Sequence, residues 1–276
     1  MTRMVTRRMV WAAAAVLLAF VGGPVPAGAQ TSVYLEDLTW VEVRDAVRAG
    51  VTTVMIPTGG TEQGGPHLIL GKHNYVMKFT AGEIARRLGK TLVAPVMAYV
   101  PEGNLDPPTS HMWGAGTITL PPEHFAKVVE FAARSLKQHG FLDIILIGDS
   151  GGNQPPMKEV AERLNAEWAA TPVRVYHLER YNANPEFVTW LKAQGYTQEQ
   201  IGSHAAIRDS SELMAAHLPG VRMDRRSAAP LSDGGRAGGN GDPMKASVEI
   251  GKKGLELKVQ AAISQFEELK KTARSR

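Results

Sequence analysis

Cysteine is absent from the 276-residue sequence. That excludes disulfides, thiolate metal sites, iron–sulfur clusters and a cysteine nucleophile, so any metal chemistry has to use His, Asp and Glu. Eight histidines are present, enough to build such a site. Aromatic residues are few, 7%, while 43% of the chain is apolar and 21% charged, a globular and not a disordered composition. No apolar run reaches the roughly twenty residues that a spanning helix needs. The longest, residues 9–21, follows Arg3, Arg7 and Arg8 and precedes Ala27-Gly28-Ala29. A basic segment, a short apolar core and a small-x-small site read as an export signal over residues 1–29, with a periplasmic or secreted mature protein. An uncleaved N-terminal anchor is the alternative, and both the general and the twin-arginine route stay open.

Charge of one sign is also scarce. The 31 Lys and Arg exceed the 27 Asp and Glu by four, and three of those Arg lie within residues 1–29. The mature chain is close to neutral, so neither nucleic acid nor, after cleavage, a membrane is expected as partner.

Residues 30–276 read as a single domain. Short β-branched runs at 52–56, 91–98, 144–147 and 173–177 predict strands. Amphipathic stretches at 39–49, 75–88, 121–139, 156–169, 185–194, 209–217 and 243–271 predict helices, several with Pro in the first turn. Such alternation predicts an α/β fold with a mainly parallel sheet, whose chemistry collects at the carboxyl ends of the strands. Loops dense in Gly, His and acids follow those ends at 57–75, 148–157 and 202–215. A long Gly- and Pro-rich loop at 101–122 carries His111 and Trp113. Residues 225–242 read as a flexible surface loop or a lid. The GDSGGN at 148–153 matches the surroundings of a trypsin-like nucleophile, Ser150, but it follows a buried strand and precedes a helix in a chain with no disulfides, which argues against a protease.

Taken together and in order, TGGTEQGGPHLILGKHN, SHMWGAGTITLP, IGDSGGNQ, SHAAIRDSSELM and GDPMKAS resemble the motifs of the creatininase (creatinine amidohydrolase) family over nearly the whole mature chain. The resemblance implies a three-layer α/β/α fold and a metal-dependent amidohydrolase that opens a C–N amide bond in a small cyclic or linear molecule. It also implies a homo-oligomer, hexameric in many members. Matched position by position, Glu62 falls on a metal ligand, Asp209 on the acid of the fourth motif and His204 on its proton-transfer histidine. The chain departs from the pattern at Gly64, His73 and Ser150, which stand where the family has His, a bridging Asp and His. A neutral imidazole offers one lone pair and cannot bridge two ions. The resemblance therefore implies one divalent ion, zinc or manganese, held by Glu62, His73 and Asp209 with Asp149, while His204 is catalytic and His111 and Trp113 line the substrate pocket. The other reading is a degenerate, non-catalytic binding protein that keeps the fold and holds no metal.

Overall fold

A computed structural model describes residues 32–227, 232–233 and 236–274. The expected export signal at 1–29 lies outside the described residues. Among them, no helix is long and apolar enough to cross a membrane.

The elements run α1 (Trp40–Arg48), β1 (Thr53–Thr58), α2 (Lys72–Leu88), β2 (Thr91–Val93), α3 (Pro122–Gln138), β3 (Asp143–Gly148), α4 (Gln154–Glu167) and β4 (Arg174–His177). Then follow α5 (Glu179–Ala183), α6 (Pro185–Ala193), α7 (Gln198–Ile201), α8 (Ile207–His217) and α9 (Val248–Arg274). The four strands form one sheet in the order β2-β1-β3-β4, and every pairing is parallel.

Alternation along each strand decides the layers, because successive side chains point to opposite faces. Val54 and Ile56 of β1, Ile144 and Leu146 of β3, and Val175 of β4 share one core with Phe125 and Val129 of α3 and Val160 and Leu164 of α4. Val43 and Val47 of α1 pack against the same face. Met55, Ile145, Ile147 and Tyr176 point the other way, onto Met77 and Ile84 of α2, Tyr181 of α5 and Val259 and Phe266 of α9. The result is the parallel α/β fold that the alternation predicted, in the three α/β/α layers that the family resemblance implied. Both faces of the sheet are covered, and that is why the strands read as unbroken apolar runs.

Two boundaries differ most from expectation, each for a local reason. The ladder of β2 stops at Val93, short of 98, because Pro95 has no N–H to donate. The chain rejoins β1 at Met97, whose N–H reaches Pro57 O at 2.9 Å. Pro243–Lys245 is a separate 3-10 turn capped by the Asp242 side chain, so α9 starts at Val248. The short helices α5 and α7, five and four residues long, are too brief to show a period in sequence.

Candidate active site

β1 and β3 are neighbours from which the chain departs in opposite directions, β2 beyond one and β4 beyond the other. Such a switch point leaves a crevice beyond the strand ends. The loop after β1 folds back on itself through Glu62 N–H to Leu70 O, 3.0 Å, and delivers Glu62 opposite the first turn of α2. That turn carries Lys72 and His73. Asp149 follows β3 directly, α8 brings Asp209 and Glu212, and α9 brings Lys258. Glu62, Lys72, His73, His111, Asp149, Asp209 and Lys258 line one polar pocket of about 350 Å³ with His204 and Arg208.

Two buried lysines organise its floor. Lys72 Nζ lies 2.7 Å from Glu62 Oε1 and 3.4 Å from Asp209 Oδ2. Lys258 Nζ lies 2.6 Å from both Asp149 Oδ1 and Glu212 Oε2. His73 stands between these pairs, Nδ1 2.6 Å from Asp149 Oδ2 and Nε2 2.9 Å from Glu62 Oε1. Burial and the Lys72 charge push its pKa down, but the flanking Asp149 and Glu62 outweigh them and raise it to about 9. At neutral pH the ring is an imidazolium donating to both carboxylates. Lys72 Nζ is also 2.8 Å from Nε2, a contact that becomes a hydrogen bond only when the ring loses that proton.

The carboxyls respond in opposite senses. Burial alone would raise Glu62, but the Lys72 charge and the His73 hydrogen bond hold it well below the ordinary carboxylate range. Asp149 is held low in the same way, against burial, by Lys258 and His73. Glu102, on the long loop behind Glu62, is pushed up to about 9 by burial and by the Glu62 charge, and is therefore a neutral acid. Burial and the Lys72 charge bring His204 down to about 4, so it is neutral.

The upper wall is formed by imidazoles. His111 Nε2 is 3.1 Å from Glu62 Oε2, and the His111 and His204 ring centroids are 4.6 Å apart. Gln63 positions both rings. Its Oε1 accepts from Gly65 N–H at 3.0 Å, so its amide NH₂ is the group 3.0 Å from His111 Nδ1. That assigns the His111 proton to Nε2, aimed at Glu62. His204 Nε2 donates to Gln63 O at 2.9 Å, which leaves its Nδ1 lone pair facing the pocket, 3.8 Å from Glu62 Oε1. His204 itself is pinned by Asn240, whose backbone N–H donates to His204 O at 3.0 Å. Part of the 225–242 segment thus positions the site.

All four expected ligands, Glu62, His73, Asp149 and Asp209, converge on this pocket, but not around an open cation position. Their oxygen and nitrogen atoms are turned on Lys72, on Lys258 and on one another. The set that fits one divalent ion is a different one. Glu62, His111 and His204 each offer a ligand atom within 4.8 Å of the others, a carboxylate oxygen and two imidazole nitrogens suited to zinc or manganese. His111, expected to touch substrate, therefore belongs to the candidate metal group, and so does His204, expected to move protons. Among the described residues the pocket lining does not include Trp113, which sits half-buried in the 3-10 turn Ser110–Trp113. His67 points away from the pocket and is 2.8 Å from Ser210 Oγ. Ser150 lines the pocket, but in an α/β sandwich and not in a protease barrel.

Lys72, Lys258, Glu212, Glu102 and Gln63 were not singled out by sequence. Lys72 had a visible signal, since it directly precedes His73 in the first loop motif. Lys258 had none, because in an amphipathic helix one lysine looks like its neighbours.

Known proteins place this geometry. The creatinine amidohydrolase (creatininase) family model matches residues 36–266. A creatinine amidohydrolase of Pseudomonas putida is 24% identical over 206 residues, 70% of this chain and 75% of that protein. Among solved structures, a manganese creatininase superposes with a TM-score of 0.72 at 24% identity, over 86% of this chain and 98% of the other. A mutant creatininase of zinc–zinc type gives 0.67 at 23% identity, over the same shares. The order of the loop motifs, the parallel α/β sandwich and the family match over most of the sequence agree: the chain belongs to the creatininase family.

Proposed function

We propose that this protein hydrolyses a C–N amide bond of a small molecule, using one divalent ion held by Glu62, His111 and His204. The observation that carries it is the convergence of those three ligand atoms in a polar pocket at the β1–β3 switch point. Solved relatives include manganese and zinc–zinc creatininases and a mutant complexed with creatine, which supports both a metal and a small-molecule substrate. A bound ion would supply Lewis acidity toward an amide carbonyl and toward water.

The chain's own residues do the rest. His204 is neutral at pH 7 and presents Nδ1 to the pocket. His111 is neutral, so holding an ion through Nε2 would move its proton to Nδ1, with the Gln63 amide turning its oxygen to accept it. Lys72 fixes Glu62 through Oε1 and leaves Oε2 for the ion side. Its ammonium lines the pocket, where a positive charge opposes negative charge developing on a carbonyl oxygen. Arg208 lines the same pocket and adds a second positive charge to it, its guanidinium carbon 5.9 Å from the Phe187 ring centroid.

One observation favours the non-catalytic reading, namely the burial of two lysines among the acids. A panel of cyclic ureides, lactams and formamides, assayed with protein stripped of metal and refilled with zinc or manganese, separates the two. Hydrolysis is expected to fall on the order of 100-fold or more in Glu62→Gln, since a ligand and a charge are lost together. Turnover indifferent to that change, or none across the panel, hands the pocket to ligand binding alone.

A further inference from the structure

We propose that Lys72 and Lys258 are built-in cations that hold the carboxylate cluster in place of divalent ions, so that the pocket keeps its shape without metal and takes no more than one ion. The geometry at Lys72 is that of a coordinated cation. Its ammonium donates to Glu62 Oε1 at 2.7 Å and Asp209 Oδ2 at 3.4 Å, and His73 Nε2, at 2.8 Å, shares the Glu62 oxygen with it. At Lys258 the ammonium is clamped between Asp149 Oδ1 and Glu212 Oε2, each at 2.6 Å. Both lysines are buried, at 2% and 4% exposure, so neither is a surface side chain that swings away. Glu62, His73 and Asp149 join the two lysines into one chain of alternating charge that runs Asp209, Lys72, Glu62, His73, Asp149, Lys258, Glu212.

A second observation comes from the backbone. Gly64 has no side chain, and a Cβ placed there would come within 3.2 Å of Lys72 Cε and 3.3 Å of Cδ. The lysine stem and a side chain at position 64 thus compete for one volume. The absence of a ligand at 64 and the presence of an ammonium at 72 are two halves of one replacement. A divalent ion at the Lys72 position would meet a fixed positive charge at contact distance, where repulsion in a poorly solvated site is severe.

The ion at Glu62, His111 and His204 belongs to the proposed function, and the ammonium assignment stands apart from it. Full-length protein is stripped with chelator, dialysed against zinc and analysed for metal per chain, with thermal unfolding followed in parallel. The expected wild type holds at most one zinc and, when that zinc is stripped by chelator, still unfolds in one cooperative transition from a fully folded state. Lys72→Ala and the length-preserving Lys72→Met are each expected to gain one zinc per chain and to be stabilised by it, while Lys72→Arg gains none. A wild type with two zincs, a wild type whose folding needs metal, or neutral variants that fold and gain no ion would overturn the assignment. If the neutral variants fold only with zinc, that is the replacement seen directly. If they fold under neither condition, the wild-type count and chelator result decide alone. A wild type holding no zinc refutes the one-ion hydrolase and leaves the lysine assignment intact.

Discussion

Asp149 serves two cations at once, with one oxygen on His73 and the other on Lys258, and is 6% exposed. An amide in its place keeps one acceptor and turns a donor toward a cation. Asp149→Asn should therefore cost several times what a surface ion pair is worth, on the order of 3–5 kcal/mol, because buried charges lose their partner. The urea midpoint should fall without a change in slope, and an unchanged midpoint would show that water reaches the pair. At this scale the sequence was informative where chemistry sits in a motif. Glu62, Asp149, His204 and Asp209 were legible as members of one site because each lies in one of the motifs that carry the family resemblance, Glu62 and Asp149 just after strands and His204 and Asp209 around the start of α8. Their roles were not legible, since a carboxylate facing an ammonium and one facing an ion occur in the same sequence. Lys258 lies 109 residues from Asp149, and no local pattern links the two.

Elements are held in register by a few contacts that follow simple rules. α1 begins with a capping box, Thr39 Oγ1 accepting from Glu42 N–H while the Glu42 carboxylate accepts from Thr39 N–H. α8 and α9 cross where Gly251 removes a side chain. A Cβ at 251 would stand 1.8 Å from Ser211 O, a distance no real contact has. Gly251→Ala should force the helices apart, cost roughly 1–3 kcal/mol or more and move Lys258 relative to Glu212. Differential scanning calorimetry reads the first effect, and a full-strength Tm would refute the close crossing. On the opposite side of the sheet, Glu130 of α3 is ringed by Lys127, Arg134 and Arg163 of α4. Burial would raise its pKa, but hydrogen bonds from Arg134, Lys127 and Arg163 lower it to about 2 from an ordinary value near 4.5. A depressed acid stabilises the fold above its unfolded pKa, and that stability is lost as pH falls through the folded value. Its partners are partly exposed, so the network is worth only about 1 kcal/mol. Glu130→Gln should be less stable than wild type at pH 7, with the gap closing between pH 4.5 and pH 2. A gap constant across that window would remove the ion network as its cause.

Over the whole molecule, the order of strands and helices along the chain was enough to predict an α/β fold with a mainly parallel sheet, and the family resemblance added its three layers. Apolar strands of three to six residues separated by amphipathic helices have few other ways to bury both faces of a sheet. The same alternation put the Gly-rich loops at strand ends, and so located the pocket. Its electrical content was decided elsewhere. Helices α2, α8 and α9, far apart in sequence, each insert one or more charged side chains into a volume that no single segment encloses. Which acid meets which lysine depends on helix crossings set by packing, such as the approach at Gly251. Periodicity and motif are local properties that a sequence carries by itself. The pairing of buried charges is a property of distance in the folded protein, where low polarity makes each pairing strong, and only the tertiary structure decides it.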